Sequence, residues 1–492
     1  MKTPFLPAVA EFLKASPLPH FINGRRHPGG ATRAVINPVD GSVLAEVAYG
    51  SETEVNQAVT AAQNAFPAWA ARPAVERSIL LHRLAERMEK EAAVLAQIES
   101  LDVGKAITAT EGFDIPFGIA CIRYFADLAT QAQYDMPLAI KNIEARVHRA
   151  PYGVCGFIFP WNFPFDLLLW GIIPALAAGN TVVVKPSEVT PLSTLYVAQL
   201  ASECGFPAGV VNVVVGDGAG VGAPLTAHPL VRRMSFTGSS EVGRKIGEVC
   251  GRRLIPSKLE LGGKGAAVVF DDADVASTAK QLAGAITFNT GQVCCTATRW
   301  IVHEKIFDSL AQQAAETLKA TKIGVGLDPE TQMGPVVSAT QRDRILGYLS
   351  RGKAEGADVV LDGGPAEVRD AKGGFFVKPW LLAGSPENVC CREEIFGPAA
   401  YLVKFRDEAE AVEIVNRLDY GLANSVWSTD LARANRVAER LVAGNNWVNA
   451  HNVFAYGLPY GGVNRSGLGG GVNSPATFYD YLRDATIARP LA

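Results

Sequence analysis

The chain has none of the short signatures that settle a function early. No G-x-G-x-x-G fingerprint is present; Gly216-Asp217-Gly218-Ala219-Gly220-Val221-Gly222 approaches it with the wrong spacing. No G-x-x-x-x-G-K-[ST] loop occurs, which excludes a P-loop nucleotide site. There is no His-Glu-x-x-His and no Cys/His cluster, so no catalytic metal is expected. The eight cysteines form no spaced framework, and two pairs are adjacent, at 294/295 and 390/391. That usage suits a reducing compartment, so a cytoplasmic protein is expected. A net charge of -3 gives no electrostatic case for nucleic acid or an anionic membrane. The most apolar stretch, 157–184, is interrupted by Pro160, Pro164, Gly171, Pro174 and Gly179 and carries Asp166, which argues against a membrane span. Residues 1–14 are broken by Pro4 and Pro7 and lack a cationic start before a long apolar run, so they do not read as a signal peptide.

What is present is length and alternation. At 492 residues the chain exceeds what one hydrophobic core normally serves, and two or three domains are expected. Phe21-Ile22-Asn23-Gly24-Arg25-Arg26 reads as a hairpin with an Asn-Gly turn. From 54 to about 102 the apolar residues recur at helical spacing, in helices joined near Pro67 to Pro73, and another helix is expected over 117–130. From 151 strands and helices alternate: strands at 153–159, 181–185, 210–215, 233–237 and 254–261, with helices between. This pattern predicts a parallel, doubly wound α/β sheet with ligands at the carboxyl ends of its strands. A second α/β alternation follows, with strands at 266–270, 299–302, 357–361 and 399–405 and helices at 274–288, 305–320, 340–354, 408–417 and 430–442. Residues 141–150 alternate polar and apolar and carry charge. They read either as an arm that pairs with another subunit or as a solvated edge hairpin.

Several segments carry chemistry, each with a plainer alternative. Cys294 and Cys295 sit side by side behind Gly291-Gln292. Neighbouring cysteines seldom reach disulfide geometry, which leaves either a thiol facing a cleft or an inert buried cysteine. Pro160-Trp161-Asn162-Phe163-Pro164 ends a strand and fixes one amide, as an oxyanion donor or as a helix cap. Lys185 and Glu188 follow the next strand, placed for ribose hydroxyls or simply for a helix start. Thr237-Gly238-Ser239 opens a helix whose N–H groups suit a pyrophosphate, though many such turns bind nothing. Glu260 lies in an apolar strand before Gly262-Gly263, as a desolvated general base or as a buried acid paired with a cation. Glu393-Glu394-Ile395-Phe396-Gly397-Pro398 is a similar acid-then-turn element.

Together, and in this order, these segments resemble the aldehyde dehydrogenase superfamily, from Asn37-Pro38 to Pro459-Tyr460-Gly461-Gly462. The resemblance implies a Rossmann-like coenzyme domain (1–132 and 152–262), a catalytic domain (263–460) and a small β oligomerisation arm (133–151 and 461–492). It implies a homodimer or homotetramer acting on a small aldehyde with NAD, NADP remaining possible. In its terms Cys294 is the nucleophile, Glu260 the general base and Asn162 the oxyanion donor. Phe159, Pro160, Trp161, Lys185, Glu188, Gly238, Ser239, Leu261, Gln341, Arg344, Glu394 and Phe396 would hold the coenzyme. Glu188 at the ribose favours NAD, because a carboxylate repels a 2′-phosphate. Asp166, Trp170, Phe288, Phe454 and Tyr460 would line the substrate tunnel.

The implied chemistry is thiolate attack, oxidation of the thiohemiacetal to a thioester, and hydrolysis by a water that Glu260 activates. The retained Glu260 argues against release to coenzyme A, and the intact Cys294, Glu260 and Asn162 set argues against a silent binding protein. Two departures stand out. Gly171 occupies a position where many relatives carry Lys, and Asp166 puts an acid in the tunnel helix. An aromatic wall with one acid suits a cationic aminoaldehyde; the alternative is an apolar tunnel with a structural Asp166.

Overall fold

The computed structural model describes residues 5–369 and 371–491. Its first sheet has a five-stranded parallel core. In space the order is Val211–Val213, Thr181–Lys185, Val154–Ile158, Val231–Thr237, Ser257–Glu260. Numbered along the chain, that is 3-2-1-4-5, the dinucleotide-binding order with its switch point between the first and fourth strands. Four of the five strands are wholly or almost wholly buried, as strands covered by helices on both faces must be. The sheet is closed at each side by antiparallel additions. His20–Ile22 pairs with Val211–Val213, and Gly467–Leu468 pairs with Ser257–Glu260. The expected hairpin is there, with Ile22 opposite Arg25 and both Asn23 (φ 54) and Gly24 (φ 70) left-handed, as a primed turn requires.

The second sheet has six parallel strands, ordered Trp380–Ala383, Ala399–Phe405, Ala297–His303, Gly265–Val269, Ala423–Trp427, Asn445–Val448, with Asp358–Leu361 antiparallel at one edge. Three of these strands are not evident in the sequence. Trp380–Ala383 is a short run after an irregular stretch. Ala423–Trp427 and Asn445–Val448 are rich in Asn and Ser, poor strand formers. Their polar groups are satisfied inside the sheet: Asn424 Oδ1 accepts from the Ala266 N–H, and Ser425 Oγ accepts from Trp427 Nε1.

Two local expectations are corrected. The helix Glu52–Ala71 runs through Pro67, and the joint falls at Arg72-Pro73. A proline five residues from a helix end forfeits only one ladder bond, and the Ser51/Glu54 capping box secures the other end. Pro7 does not break the N-terminal segment but opens the helix Pro7–Lys14, where its missing N–H costs nothing. Residues 1–4 of that segment lie outside the described residues.

A third sheet stands apart. Ile143–Pro151 lies between Asp135–Ile140 and Leu482–Pro490, antiparallel to both. Of the stretch 461–492 only Leu482–Pro490 enters this sheet. Gly467–Leu468 belongs to the first sheet instead, and the helix Pro475–Tyr479 packs on the helices Ile115–Gln131 and Pro164–Ala177. Among the described residues no helix is long and apolar enough to cross a membrane.

Candidate active site

One cavity, of about 290 Å³, lies where the two large sheets face each other. Its walls come from the carboxyl ends of the first sheet: Phe159 to Asn162 after Val154–Ile158, Gly238 and Ser239 after Val231–Thr237, Glu260 to Gly262 at the end of Ser257–Glu260. The opposite wall comes from segments leading into the second sheet: Cys294 and Cys295 before Ala297–His303, Glu394 and Phe396 before Ala399–Phe405, Leu422 before Ala423–Trp427. Residues more than two hundred positions apart converge because each sheet presents one end to the gap.

The turn bearing Cys294 is wound tightly. Asn289 (φ 46), Thr290 (φ 54) and Gly291 (φ 70) are left-handed in succession, a costly arrangement for a β-branched residue. Buried hydrogen bonds hold it. Thr290 Oγ1 donates to Gly334 O (3.0 Å), Gln292 Nε2 donates to Asn289 O (3.1 Å), and the Val337 N–H donates to Gln292 Oε1 (3.0 Å). Gly291 is required for a second reason: a Cβ there would stand 2.1 Å from Gly397 O. The same turn fixes Asn162. Its Nδ2 donates to Gln292 O (3.0 Å), and its backbone carbonyl accepts from Asn289 Nδ2 (2.8 Å). The amide therefore stands locked beside the cysteine, with one N–H left for a ligand.

The electrostatics separate the two thiols. The Cys294 thiol is held below the ordinary cysteine range, first by the adjacent Cys295 thiol and, against the effect of burial, by the Tyr460 hydroxyl. Burial and the neighbouring Cys294 push the Cys295 thiol well up. Glu260 is raised to about 8, by burial first; Lys258 opposes that, and the nearby Cys294 adds to it. One of its carboxyl oxygens has no hydrogen-bond partner.

On the coenzyme side, Ser239 caps the helix Ser240–Arg253 by accepting from the Val242 N–H. Glu394 Oε1 accepts from the Gly263 N–H (2.9 Å), and Gly262 has no room for a side chain against that carboxyl. Arg344 Nη2 donates to Glu394 O (2.7 Å) and Gln341 Nε2 to Phe396 O (2.7 Å). The two residues thus steady the 394–396 loop, in which Phe396 is left-handed (φ 63) and meets Trp161 edge-on at 5.2 Å. Lys185 and Glu188 do not line this cavity. They pair at 3.3 Å at the end of the adjacent strand, Lys185 Nζ also donating to Pro186 O. Burial lowers the Lys185 ammonium. A helix N-terminus, a carboxyl beside two glycines and a Lys–Glu pair at successive strand ends fit a dinucleotide laid along the sheet edge.

The substrate end is aromatic. Trp170, Phe454 and Tyr460 pack at 5.4 to 6.2 Å, and Phe288 meets Phe163 at 5.9 Å. Phe113 completes this wall against Phe288 and Phe454. The sequence reading missed it, although its spacing from Phe117 along a helix was the signal available. Gly171 makes room for Phe159, whose ring tip would lie 2.5 Å from any Cβ there.

Asp166 lines the cavity, but as a buried acid. Both its carboxyl oxygens are closed off from solvent. Burial, and the neighbouring Asp114, raise it well above the carboxylate range. It borders a buried group in which Lys105 Nζ meets Asp114 (2.6 Å) and Glu99 (2.9 Å). Burial and several acids around one lysine disfavour a charge on Asp166, which weakens the case for a cationic substrate.

Comparison with known proteins agrees with this layout. The pattern described as the aldehyde dehydrogenase family matches residues 26–487. A phenylacetaldehyde dehydrogenase of Pseudomonas fluorescens is 40% identical over 89% of this chain and 89% of its own. A betaine aldehyde dehydrogenase of Mesorhizobium japonicum is 40% identical over 92% of this chain and 93% of its own. The crystal structure of PnpE in complex with nicotinamide adenine dinucleotide superimposes with a TM-score of 0.94 at 40% identity, covering 96% of this chain and 98% of that one.

Proposed function

The chain belongs to the aldehyde dehydrogenase family, NAD(P)-dependent enzymes that oxidise aldehydes to carboxylic acids, and we propose that it does so through a covalent intermediate on Cys294. The observation that carries the reading is one cavity holding a thiol of lowered pKa, a locked amide and a buried carboxyl with one unpaired oxygen. The Cys294 thiolate attacks the aldehyde carbon. Asn162 Nδ2 and the Cys294 backbone N–H receive the oxyanion of the thiohemiacetal, and because both are fixed beforehand they need no reorganisation as charge develops. A nicotinamide held near Glu394 and Phe396 would supply the two-electron oxidant, as a hydride acceptor, for the thiohemiacetal carbon. Glu260 then takes a proton from water, which attacks the thioester, and the acid leaves as the thiolate is restored.

Phe159, Pro160, Trp161, Gly238, Ser239, Leu261, Glu394 and Phe396 would hold the coenzyme within the cavity, with Lys185 and Glu188 at its adenosine ribose. Glu188 favours NAD. Gln341 and Arg344 act through the loop they steady. The aromatic wall and the buried Asp166 favour an uncharged aromatic or arylalkyl aldehyde over a cationic one. The acting form is a cytoplasmic homodimer or homotetramer. Its coenzyme part is 1–132 and 152–262, its catalytic part 263–460, and its arm 133–151 with the C-terminal strand.

The test is NADH formation, followed at 340 nm, across short aliphatic, long aliphatic, aromatic and cationic amino aldehydes. Turnover best with aromatic members and abolished by Cys294→Ala is expected. Turnover that survives the substitution would overturn the mechanism, and a preference for the cationic members would overturn the substrate class.

A further inference from the structure

Tyr460 reaches the reacting sulfur itself. Its hydroxyl oxygen lies 3.2 Å from Cys294 Sγ. We propose that Tyr460 is a catalytic residue whose hydroxyl donates a hydrogen bond to the Cys294 thiolate and holds that sulfur in its nucleophilic form. The proposal rests on the reading of Cys294 as the nucleophile and adds a residue that the tunnel-aromatic role leaves out.

Three observations support it. The first is aim. The Tyr460 N–H donates to Val472 O (2.9 Å) and Tyr460 O accepts from the Val472 N–H (2.6 Å), so the backbone is clamped on both sides. The ring is wedged between Trp170 (5.8 Å) and Phe454 (5.4 Å) and is 8% exposed. A Cβ on the next residue, Gly461, would strike Gly471 Cα at 2.4 Å, so the chain cannot shift there easily. The hydroxyl is preorganised by packing.

The second is the direction of donation. Burial, and then the charge of Cys294, hold the Tyr460 phenol well above its usual range, so it keeps its proton. The thiol is the more acidic partner, and the arrangement is O–H toward sulfur.

The third is need. The charged or titratable groups facing Sγ are Cys295 from its own turn, Glu260 from the strand Ser257–Glu260, and Glu394 from the opposite loop. A half-buried thiolate near two carboxyl groups is disfavoured. Tyr460 is the neutral donor that offsets this, since the Cys295 thiol donates to Asn452 Oδ1 (3.4 Å). Tyr460 transfers nothing: the thiol proton leaves to solvent or Glu260, and the phenol proton stays on oxygen. Sulfur gives up its charge as the S–C bond forms and regains it as that bond breaks at deacylation. One fixed donor therefore assists both ends of the cycle.

Tyr460→Phe keeps the ring and removes only the hydroxyl. The measurement is the pH dependence of Cys294 alkylation by iodoacetamide in the coenzyme-free enzyme, located by peptide mass mapping. The apparent pKa of Cys294 should rise by roughly one pH unit, the size of one hydrogen bond to a charged atom. The rate at pH 7 should fall about threefold or somewhat more, since the freed thiolate is intrinsically more nucleophilic and recovers part of the tenfold loss. The acid limb of kcat/KM should move with it, while the alkaline plateau is kept. A merely structural residue would lower the plateau and leave the midpoint unmoved.

An unchanged midpoint overturns the role of Tyr460. Cys294→Ala is run in parallel: if it retains turnover, the nucleophile itself is wrong, whatever Tyr460→Phe does. Should Tyr460→Phe fail to fold, 3-fluorotyrosine at 460 preserves the packing and is the stronger donor. It should move the alkylation midpoint to lower pH, and no movement would sink the proposal.

Discussion

In the proposed mechanism Glu260 has to be a base, yet it sits where a charged carboxylate is costly. Burial raises it to about 8 against a usual 4.5. Between those values the folded enzyme binds a proton that the unfolded chain does not, so this group's contribution to stability is full in acid and is lost as pH rises through 8. The loss amounts to a few kcal/mol at most, on the order of 4 from the size of the shift. Glu260→Gln removes the titration. Relative to wild type the variant should gain thermal stability from about pH 5 to about pH 8, read as a difference in Tm that widens over that range and levels off above it. Its deacylation should become slow and lose the rise that wild type shows through pH 8, leaving a burst of NADH followed by a crawl. A Tm difference that stays constant across that range would mean that Glu260 is not held neutral in the folded enzyme. Asp166 teaches the complementary lesson. From the sequence it was only an acid in a tunnel helix. Burial and the nearby Asp114 and Glu99 disfavour its charge while Lys105 opposes them, and no local pattern records that company.

Among the elements, the turn before Ala297–His303 is where backbone cost is concentrated. Three left-handed residues in succession are maintained by buried hydrogen bonds that also orient Asn162, so strain at the thiol and aim at the oxyanion site share one origin. Gly291→Ala should destabilise by about 2–4 kcal/mol, because it adds a left-handed penalty to a contact with Gly397 O. It should also lower kcat by roughly a hundredfold, the usual consequence of moving a reacting group by an ångström. Gly284→Ala is the contrasting change. Gly284 lies within the helix Val275–Thr287 with open space around it, and alanine there should add about 0.5–1 kcal/mol. Thermal unfolding and steady-state NADH formation check both. Equal effects from the two would mean that the turn is not specially constrained. The Gly-Gln-x-Cys-Cys order was legible as a turn with a thiol, but its left-handed run was not, since Thr290 gives no warning of it. Likewise the first sheet could be read strand by strand from its apolar runs. Half the parallel strands of the second were hidden, because Asn424 and Ser425 look like loop residues until the sheet supplies their partners.

At the scale of the molecule the three-stranded sheet is what the interior does not explain. Ile143–Pro151 is paired on both sides, but Asp135–Ile140 and Leu482–Pro490 each leave an edge without a partner strand. Most of their residues are exposed. Ile140 (48%), Ile143 (38%) and Ile487 (45%) present apolar surface on an element that reaches no hydrophobic core of its own. Isolated edges are normally blunted by charge, and here charge is indeed present: Arg489 pairs with Glu144, and Arg146 with Asp135. The charge alternation of 141–150 made an arm or an edge readable from sequence. The partner strand, more than three hundred residues away, was not, because register between distant strands leaves no local trace. Exposed isoleucines between ion pairs suit a surface covered by another copy of the chain. The mass in solution by light scattering should therefore be two or four times 52.3 kDa. Replacing Ile140 and Ile487 together by Lys should lower it while leaving each subunit folded, because both side chains stand outside every core. A wild-type monomer, or an assembly indifferent to the double substitution, would remove the arm from the interface and leave those isoleucines as ordinary surface residues.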